Sequence, residues 1–381
     1  MPIEKELIID SLSDGQGFLD LGGCELTNED IIWIVQFLKD NAYVVKSINL
    51  CANDITDQSI VTICSIDGLT TIDLRENKIT EMGMAILASI PLIKLNISGN
   101  PIGDSGIIML SKNKTILELE ATGCNISSEG ALAVLQNSTI KSLNLSENNI
   151  SGYGLKNIVT NNILEKLKLS YAHIDALGAQ YLGENHSLRV LDLTANYIGD
   201  IGSLALSKHQ TLEELDVTQN NISDEGVKEF IHNKTLKSLI LLDNKVTNGG
   251  LLDLLKKSFL VFINLHGNPI NEDSFLLEMK NSCFYTSSDR VFTRDQEYVE
   301  KLQKGTIKPV VFTPLSVTQY HEKRKVEAFD MDIMNNIEFL QFFFRTADPQ
   351  IKEQVGVIFA TSYEQFKKQK TQQESTRPSP N

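Results

Sequence analysis

The chain has 381 residues, of which 41% are hydrophobic and 22% charged, and a formal net charge of −14. That is enough apolar material for two domains or for one long core with a cap. Residues 1–280 hold 21 Lys+Arg against 36 Asp+Glu, and residues 281–381 hold 14 against 13, so the acidity belongs to the first part and argues against nucleic acid and anionic membranes as partners.

Residues 1–16 are expected to cap one end of the core. Their start, Met-Pro-Ile-Glu-Lys-Glu-Leu, lacks the basic opening and apolar run of a signal peptide, and no apolar stretch in the chain is long enough to span a membrane. From residue 17 to about 273 one pattern recurs, clearest in Ile140–Gly154, and the helix-like Ser274–Asn281 is expected to close the other end of the core, which makes 17–281 one unit. Leu143 and Leu145 alternate with Ser142, Asn144 and Ser146, the period of a half-buried strand; Asn148 and Ile150 follow, then Gly154 in a helical pattern. The positions equivalent to Asn148 are Cys24, Asn53, Asn77, Asn100, Cys124, Ala172, Asn196, Asn220, Asn244 and Asn268, and from Asn100 onward they fall every 24 residues. Self-similarity at a fixed period of this length means a solenoid.

Each element of the repeat has a physical reason. The Leu and Ile positions share one core that no single copy could bury alone. Asn148 and its equivalents stand where the chain leaves the strand, and a side-chain amide can both donate to and accept from buried backbone there. Ser127, Ser151, Asp175 and Ser223 are candidate helix N-caps. Glycines 106, 130, 154, 178, 202, 226 and 250 recur early in each helix, where close backbone packing outweighs their poor propensity. Asn113, Asn137, Asn161, Asn185, His209 and Asn233 recur just past each helix and are read as left-handed helix ends.

The pattern L-x-x-L-x-L-x-x-N-x-I-x-x-x-G, repeated eleven times, resembles the leucine-rich-repeat family, and the helix-like second halves resemble its ribonuclease-inhibitor-like subfamily. The resemblance implies an α/β solenoid, with a parallel inner sheet on the concave side and helices outside. The Asn/Ile/Lys-rich usage and tight period are also similar to the leucine-rich-repeat effectors that Legionella-type intracellular bacteria secrete into host cells.

After residue 281 the composition shifts, and ten of the sixteen Phe lie there. Ser282–Arg294 reads as polar and irregular. Helical patterns follow in Asp295–Lys304, Leu315–Phe329 and the stretches containing Ile333–Phe344 and Ile351–Phe366, so residues 282–369 are expected to form a small α-helical module. Residues 370–381 read as a disordered tail.

No catalytic motif is present. Cysteines 24, 51, 64, 124 and 283 follow no disulfide or zinc spacing, which points to a reducing compartment: the cytoplasm or, by the resemblance, a host cytosol reached without a cleaved signal peptide. His186, His209 and His232 sit at successive helix ends, too far apart to share a metal. No cofactor is expected, and the chain is expected to be monomeric and non-catalytic. Bacterial leucine-rich-repeat ubiquitin ligases carry a Cys-x-Asp motif, but here the C-terminal cysteine reads Cys283-Phe-Tyr. Ran GTPase-activating proteins share the repeat type and supply an arginine; Arg75 on the inner face is the equivalent candidate, which makes a small-GTPase regulator one alternative reading, and an unrecognised activity in the C-terminal module is the other.

The concave face carries the candidate binding residues. Its central row reads Asp20, Asn49, Asp73, Asn96, Glu120, Asn144, Lys168, Asp192, Asp216, Ile240 and Asn264. Asp73, Glu120, Asp192, Glu214 and Asp216 are expected to steer a basic or mixed-charge protein partner, by the resemblance a host protein, onto an exposed apolar patch of Ile240, Leu242 and Phe262. Lys166, Lys168 and Tyr171 form a basic anomaly beside Ala172, the copy without its asparagine, and that copy is expected to be tuned for contact rather than for stability.

Overall fold

A computed structural model describes residues 5–12, 17–257, 259–270, 285–286 and 291–293. The chain divides into two units, Met1–Ser282 and Cys283–Asn381. In the first, eleven three-residue strands run in chain order: β1 (Phe18–Asp20), β2 (Ser47–Asn49), β3 (Thr71–Asp73), β4 (Lys94–Asn96), β5 (Glu118–Glu120), β6 (Ser142–Asn144), β7 (Lys166–Lys168), β8 (Val190–Asp192), β9 (Glu214–Asp216), β10 (Ser238–Ile240) and β11 (Phe262–Asn264). Neighbours pair in parallel with equivalent residues opposite, so Leu119, Leu143, Leu167, Leu191 and Leu215 form one continuous row. Each of these leucines is at most 1% exposed. A leucine so buried contributes about 1.5–3 kcal/mol. At the first end, helix Lys5–Leu12 buries Ile8 and Leu12, one turn apart, and the Ser11 hydroxyl accepts from the Asp20 N–H at 2.8 Å.

The asparagine ladder is present. Asn148 Nδ2 donates to the carbonyls of Ala121, Leu145 and Ser146 at 2.8–3.1 Å, and its Oδ1 accepts from the N–H groups of Cys124 and Ile126 at 3.0 Å. One side chain thus satisfies backbone groups of two repeats. Every second slot of the central copies differs. Gly103, Ser151 and Gly199 adopt positive φ (61°, 58° and 56°). Their N–H groups go to the backbone carbonyls of Cys124, Ala172 and Asn220 at 3.0–3.2 Å. At these slots the main chain performs part of the side chain's bridging, so Cys124 and Ala172 are tolerated there for a structural reason. The same turn corrects one cap: Ser127, Asp175 and Ser223 do cap helices, whereas Ser151 is left-handed and Gly152 precedes a 3-10 helix, Tyr153–Thr160.

The row of Asn113, Asn137, Asn161, Asn185 and Asn233 is not the expected set of left-handed helix ends, since none has positive φ. It is a second buried ladder. Asn137 Nδ2 donates to the carbonyls of Ser111 and Asn113 at 2.9 and 2.8 Å, while its Oδ1 accepts from the N–H groups of Thr139 and Ile140. Tying down buried carbonyls outweighed the turn preference of asparagine. His209 occupies one rung. Its Nδ1 accepts from Thr211 and Leu212 N–H at 3.2 and 3.1 Å, as an asparagine Oδ1 would, but its Nε2 is buried with no hydrogen-bond partner. Burial, and secondarily His186, pushes its pKa down from 6.5 to about 4. His209→Asn should therefore complete the rung and stabilise the chain by about 1–2 kcal/mol. The unfolded imidazole binds a proton that the folded one refuses, so wild-type stability falls as pH drops from 6.5 towards 4. Thermal melts across that range should show a shallower fall for the asparagine variant.

A third relay links the helix starts. The Asp104 carboxylate accepts from the N–H and hydroxyl of Ser127 and from Gly130 N–H at 2.5–3.1 Å; Asp57, Asp200 and Asp224 reach the next repeat's cap in the same way. This explains three of the early glycines: a Cβ on Gly130, Gly226 or Gly250 would meet Oδ1 of Asp104, Asp200 or Asp224 at 2.5 Å, whereas at Gly106, Gly154, Gly178 and Gly202 it would crowd apolar side chains or backbone of the neighbouring turns.

In the second unit, Tyr285–Thr286 and Val291–Thr293 pair antiparallel, within a stretch read from sequence as irregular. The helices expected after residue 294, and the Ser274–Asn281 cap and the tail, lie outside the described residues.

Candidate protein-binding face

Strand alternation turns the first and third residues of each strand to the sheet face opposite the buried leucine row. The central row there is mostly Asp or Asn for a local reason. Oδ1 of Asp20, Asn49, Asp73, Asn96, Asn144, Asp192, Asp216 and Asn264 each accepts from the N–H two residues on, at 2.8–3.2 Å. The side chain closes an Asx turn at the strand end. Asparagine suffices for that bond, so the cap explains the residue shape but not the choice of Asp at 73, 192 and 216. The three departures are Glu120, Lys168 and Ile240.

The candidate residues divide as follows. Asp73 and Arg75 hold each other, with Arg75 Nη2 to Asp73 Oδ2 at 2.7 Å and Nε to both carboxylate oxygens. An arginine that enters a nucleotide site must first release this pair. Both lie on or just after β3, four strands from β7, or about 19 Å. Glu120 accepts from Asn144 Nδ2 at 2.6 Å. Lys166 and Lys168 sit on β7, with Lys168 in register between Asn144 and Asp192. Tyr171 is half-buried with φ of 55°, and burial raises its phenol pKa. Asp192 and Asp216 are neighbours in register, and Glu214 is exposed beside them.

Ile240 is only 6% exposed, so the expected exposed patch of Ile240, Leu242 and Phe262 is not there. Leu242 and Phe262 are half-buried. The register sets Asp216 and Asn264 on either side of Ile240, with Phe262 diagonal to it one strand over and Leu242 two residues along on the same face. Alternation gives the face of a residue, not its depth.

Sequence reading passed over a different apolar set. Tyr197 is 64% exposed and rests against the His173 ring, centroids 6.2 Å apart. Tyr153, Leu177 and Ile201, exposed at one helix-start position of successive copies, lie in the same three repeats. The signal was available: the other copies carry Glu129 and Glu225 at the position of Tyr153, and Asn149 and Asn221 at the position of Tyr197.

Asp216 has a raised pKa, about 6, owing to burial first and the Asp192 carboxylate second. Its ionisation opposes folding as pH rises from 3.8 through 6. Asp216→Asn keeps the cap on Thr218 and removes the charge. It should stabilise by about 1–3 kcal/mol at pH 7 and by much less near pH 4. Equal melting shifts at both pH values would show that the charge is not responsible.

Among the described residues no group of three or more His, Cys, Asp and Glu is arranged to hold a metal, and no helix is long and apolar enough to cross a membrane. Burial raises the thiols of Cys64 and Cys124 to about 11 and about 12, which keeps them protonated.

The family described as Leucine Rich repeat matches residues 88–111, 136–159, 184–207, 208–230 and 232–255. With the in-register sheet and the buried asparagines, that decides the architecture. Residues 17–270 fold as a leucine-rich-repeat solenoid. Similar solved structures include a TLR13–ssRNA13 complex, 21% identical over 60% of this chain and 36% of that one, TM-score 0.45. Another is the ectodomain of the Arabidopsis receptor kinase HAESA bound to an extended IDA peptide hormone, 22% identical over 66% of this chain and 42% of that one, TM-score 0.44. The chain thus spans less than half the length of either. No curated protein matches it.

Proposed function

We propose that this chain is a non-catalytic scaffold that binds a protein partner of basic or mixed charge across the sheet face of its repeats, in the manner of a bacterial effector acting on a host protein. The observation that carries the reading is the excess charge of the central row: Asp192 and Asp216, which among the described residues have no cationic partner of the kind Arg75 gives Asp73, make a strand-end bond that asparagine makes equally well at 49, 96, 144 and 264. Adjacent like charges at Asp192 and Asp216 oppose folding, so a contribution to binding is the natural reason for them. Glu214 and Glu120 extend the same negative surface, and the exposed His173–Tyr197 pair supplies apolar contact near one margin. The effector assignment and the ribonuclease-inhibitor-like subfamily rest on the resemblance of the repeats.

A photo-crosslinking residue at Glu214 tests this, with a second at the exposed Gln180 of the helical side as control. In eukaryotic cytosol the first should give a discrete protein adduct that fades in about 0.5 M salt, where exposed charges are screened. Adducts of equal yield from both positions, or none from Glu214, would contradict the reading.

A further inference from the structure

We propose that Lys166, Lys168 and Tyr171 form a seat for an acidic stretch of the partner, two carboxylates in an extended segment, set within an otherwise acidic face. This rests on the scaffold reading and specifies the partner's charge pattern: acidic at the centre, basic on both sides.

Five other cations on this face and its margin are engaged, whereas Lys46, before β2 and five strands away, makes no ion pair among the described residues. Arg75 pairs with Asp73 at 2.7 Å, Lys94 with Glu118 at 2.9 Å, Lys141 with Glu165 at 3.0 Å, and Arg189 and Lys237 both with Glu213 at 2.6 and 2.5 Å. Lys166 and Lys168 make no ion pair among the described residues. The carboxylates nearest in register are committed elsewhere. Asp192 Oδ1 accepts from Thr194 N–H at 2.8 Å and its Oδ2 from the Ser170 hydroxyl at 2.9 Å. Glu165, the residue before Lys166, is held by Lys141. Two ammonium groups on alternate residues of one strand stand about 7 Å apart, the spacing of alternate side chains on an extended peptide laid alongside.

Tyr171 adds to this. It holds a left-handed turn position that Gly99, Gly123 and Ala195 occupy in nearby copies. An aromatic there is unfavourable for the backbone, and it places a phenol three residues beyond Lys168. The flanks limit the ligand: Glu120 on one side and Asp192, Glu214 and Asp216 on the other repel a long acidic chain and attract lysines or arginines at its ends.

The test uses the full chain and two labelled synthetic peptides of one composition, followed by fluorescence anisotropy at low salt. One has two alternate glutamates at its centre and lysines at both ends; the other has the lysines central and the glutamates terminal. Wild type should prefer the first by about tenfold, and Lys166→Glu with Lys168→Glu should reverse the preference. Lys166 is exposed and Lys168 half-buried, and a glutamate at 168 would stand in register with Asp192, so this double variant should melt somewhat below wild type; Lys166→Gln with Lys168→Gln adds no like charge, should melt near wild type and should lose the preference, which separates lost binding from lost folding. No binding of either peptide, equal binding of both by wild type, or an unchanged preference in the variant would each overturn the seat. A partner adduct at Glu214 that persists undiminished in the double variant would overturn the seat while leaving the scaffold reading standing.

Discussion

Asn196→Ala is expected to destabilise the chain by about 3–5 kcal/mol, and Asn220→Ala by about 1–2 kcal/mol, although the two residues are equivalent in the repeat. Asn196 makes five side-chain bonds, to the carbonyls of Leu169, Leu193 and Thr194 and from the N–H groups of Ala172 and Ile174. Alanine strands those buried groups across two copies, each at the desolvation cost of an unmet polar atom. Asn220 makes three, to Leu193 and Thr218 and from Ile198 at a longer 3.3 Å, because Gly199 N–H already reaches the Asn220 backbone carbonyl. The sequence has itself dispensed with the asparagine at the two slots of this kind before it, Cys124 and Ala172. Thermal and urea unfolding of both variants should show the inequality. Equal losses would remove the alternation of turn types as the explanation.

The second large effect lies at Gly152. In the copies two periods to either side of the chain, Asp104 and Asp200 fill its position and accept from the caps Ser127 and Ser223. Here the roles are exchanged: the carboxylate is on the cap itself, Asp175, which accepts from Gly178 N–H at 3.0 Å and lies where a Cβ on Gly152 would stand, at 1.9 Å from it. Gly152→Asp alone brings two carboxylates together and should cost about 2–4 kcal/mol from overpacking and repulsion. Gly152→Asp with Asp175→Ser recreates the usual pair and should return to within about 1 kcal/mol of wild type. The coupling between the two changes is then the main term of the double-mutant cycle. Additive losses would mean that the exchange of roles does not hold this joint together.

Much of the fold was legible because the repeat writes the same physical demand many times. The Leu rows and Asn148 with its equivalents each have one chemical job, and eleven copies make the job visible. Features that depend on conformation were less legible. Ser151 looks like a cap from its hydroxyl, yet the copies two repeats away on either side have glycine there, at Gly103 and Gly199, which was the clue to positive φ. Asn137 and its equivalents were read through a turn preference when their burial calls for bonds to carbonyls. The acidic face was legible as a row of charges, but not that most of the row caps its own strand. Ile240 was placed on the right face and at the wrong depth. Lys166 and Lys168 stood out from the start, and the structure adds that the neighbouring carboxylates are already taken.

The most direct measurement of the central claim is the adduct yield from a crosslinker at Glu214 in a chain carrying Asp73→Asn, Asp192→Asn and Asp216→Asn. These changes keep the Asx turns and remove charge, together with the Arg75 pair at Asp73 and the Ser170 hydroxyl bond at Asp192, so the fold should melt close to the wild-type temperature while the yield falls severalfold at low salt. A yield equal to wild type in a chain that melts normally would contradict the claim that the negative charge of this face serves a protein partner.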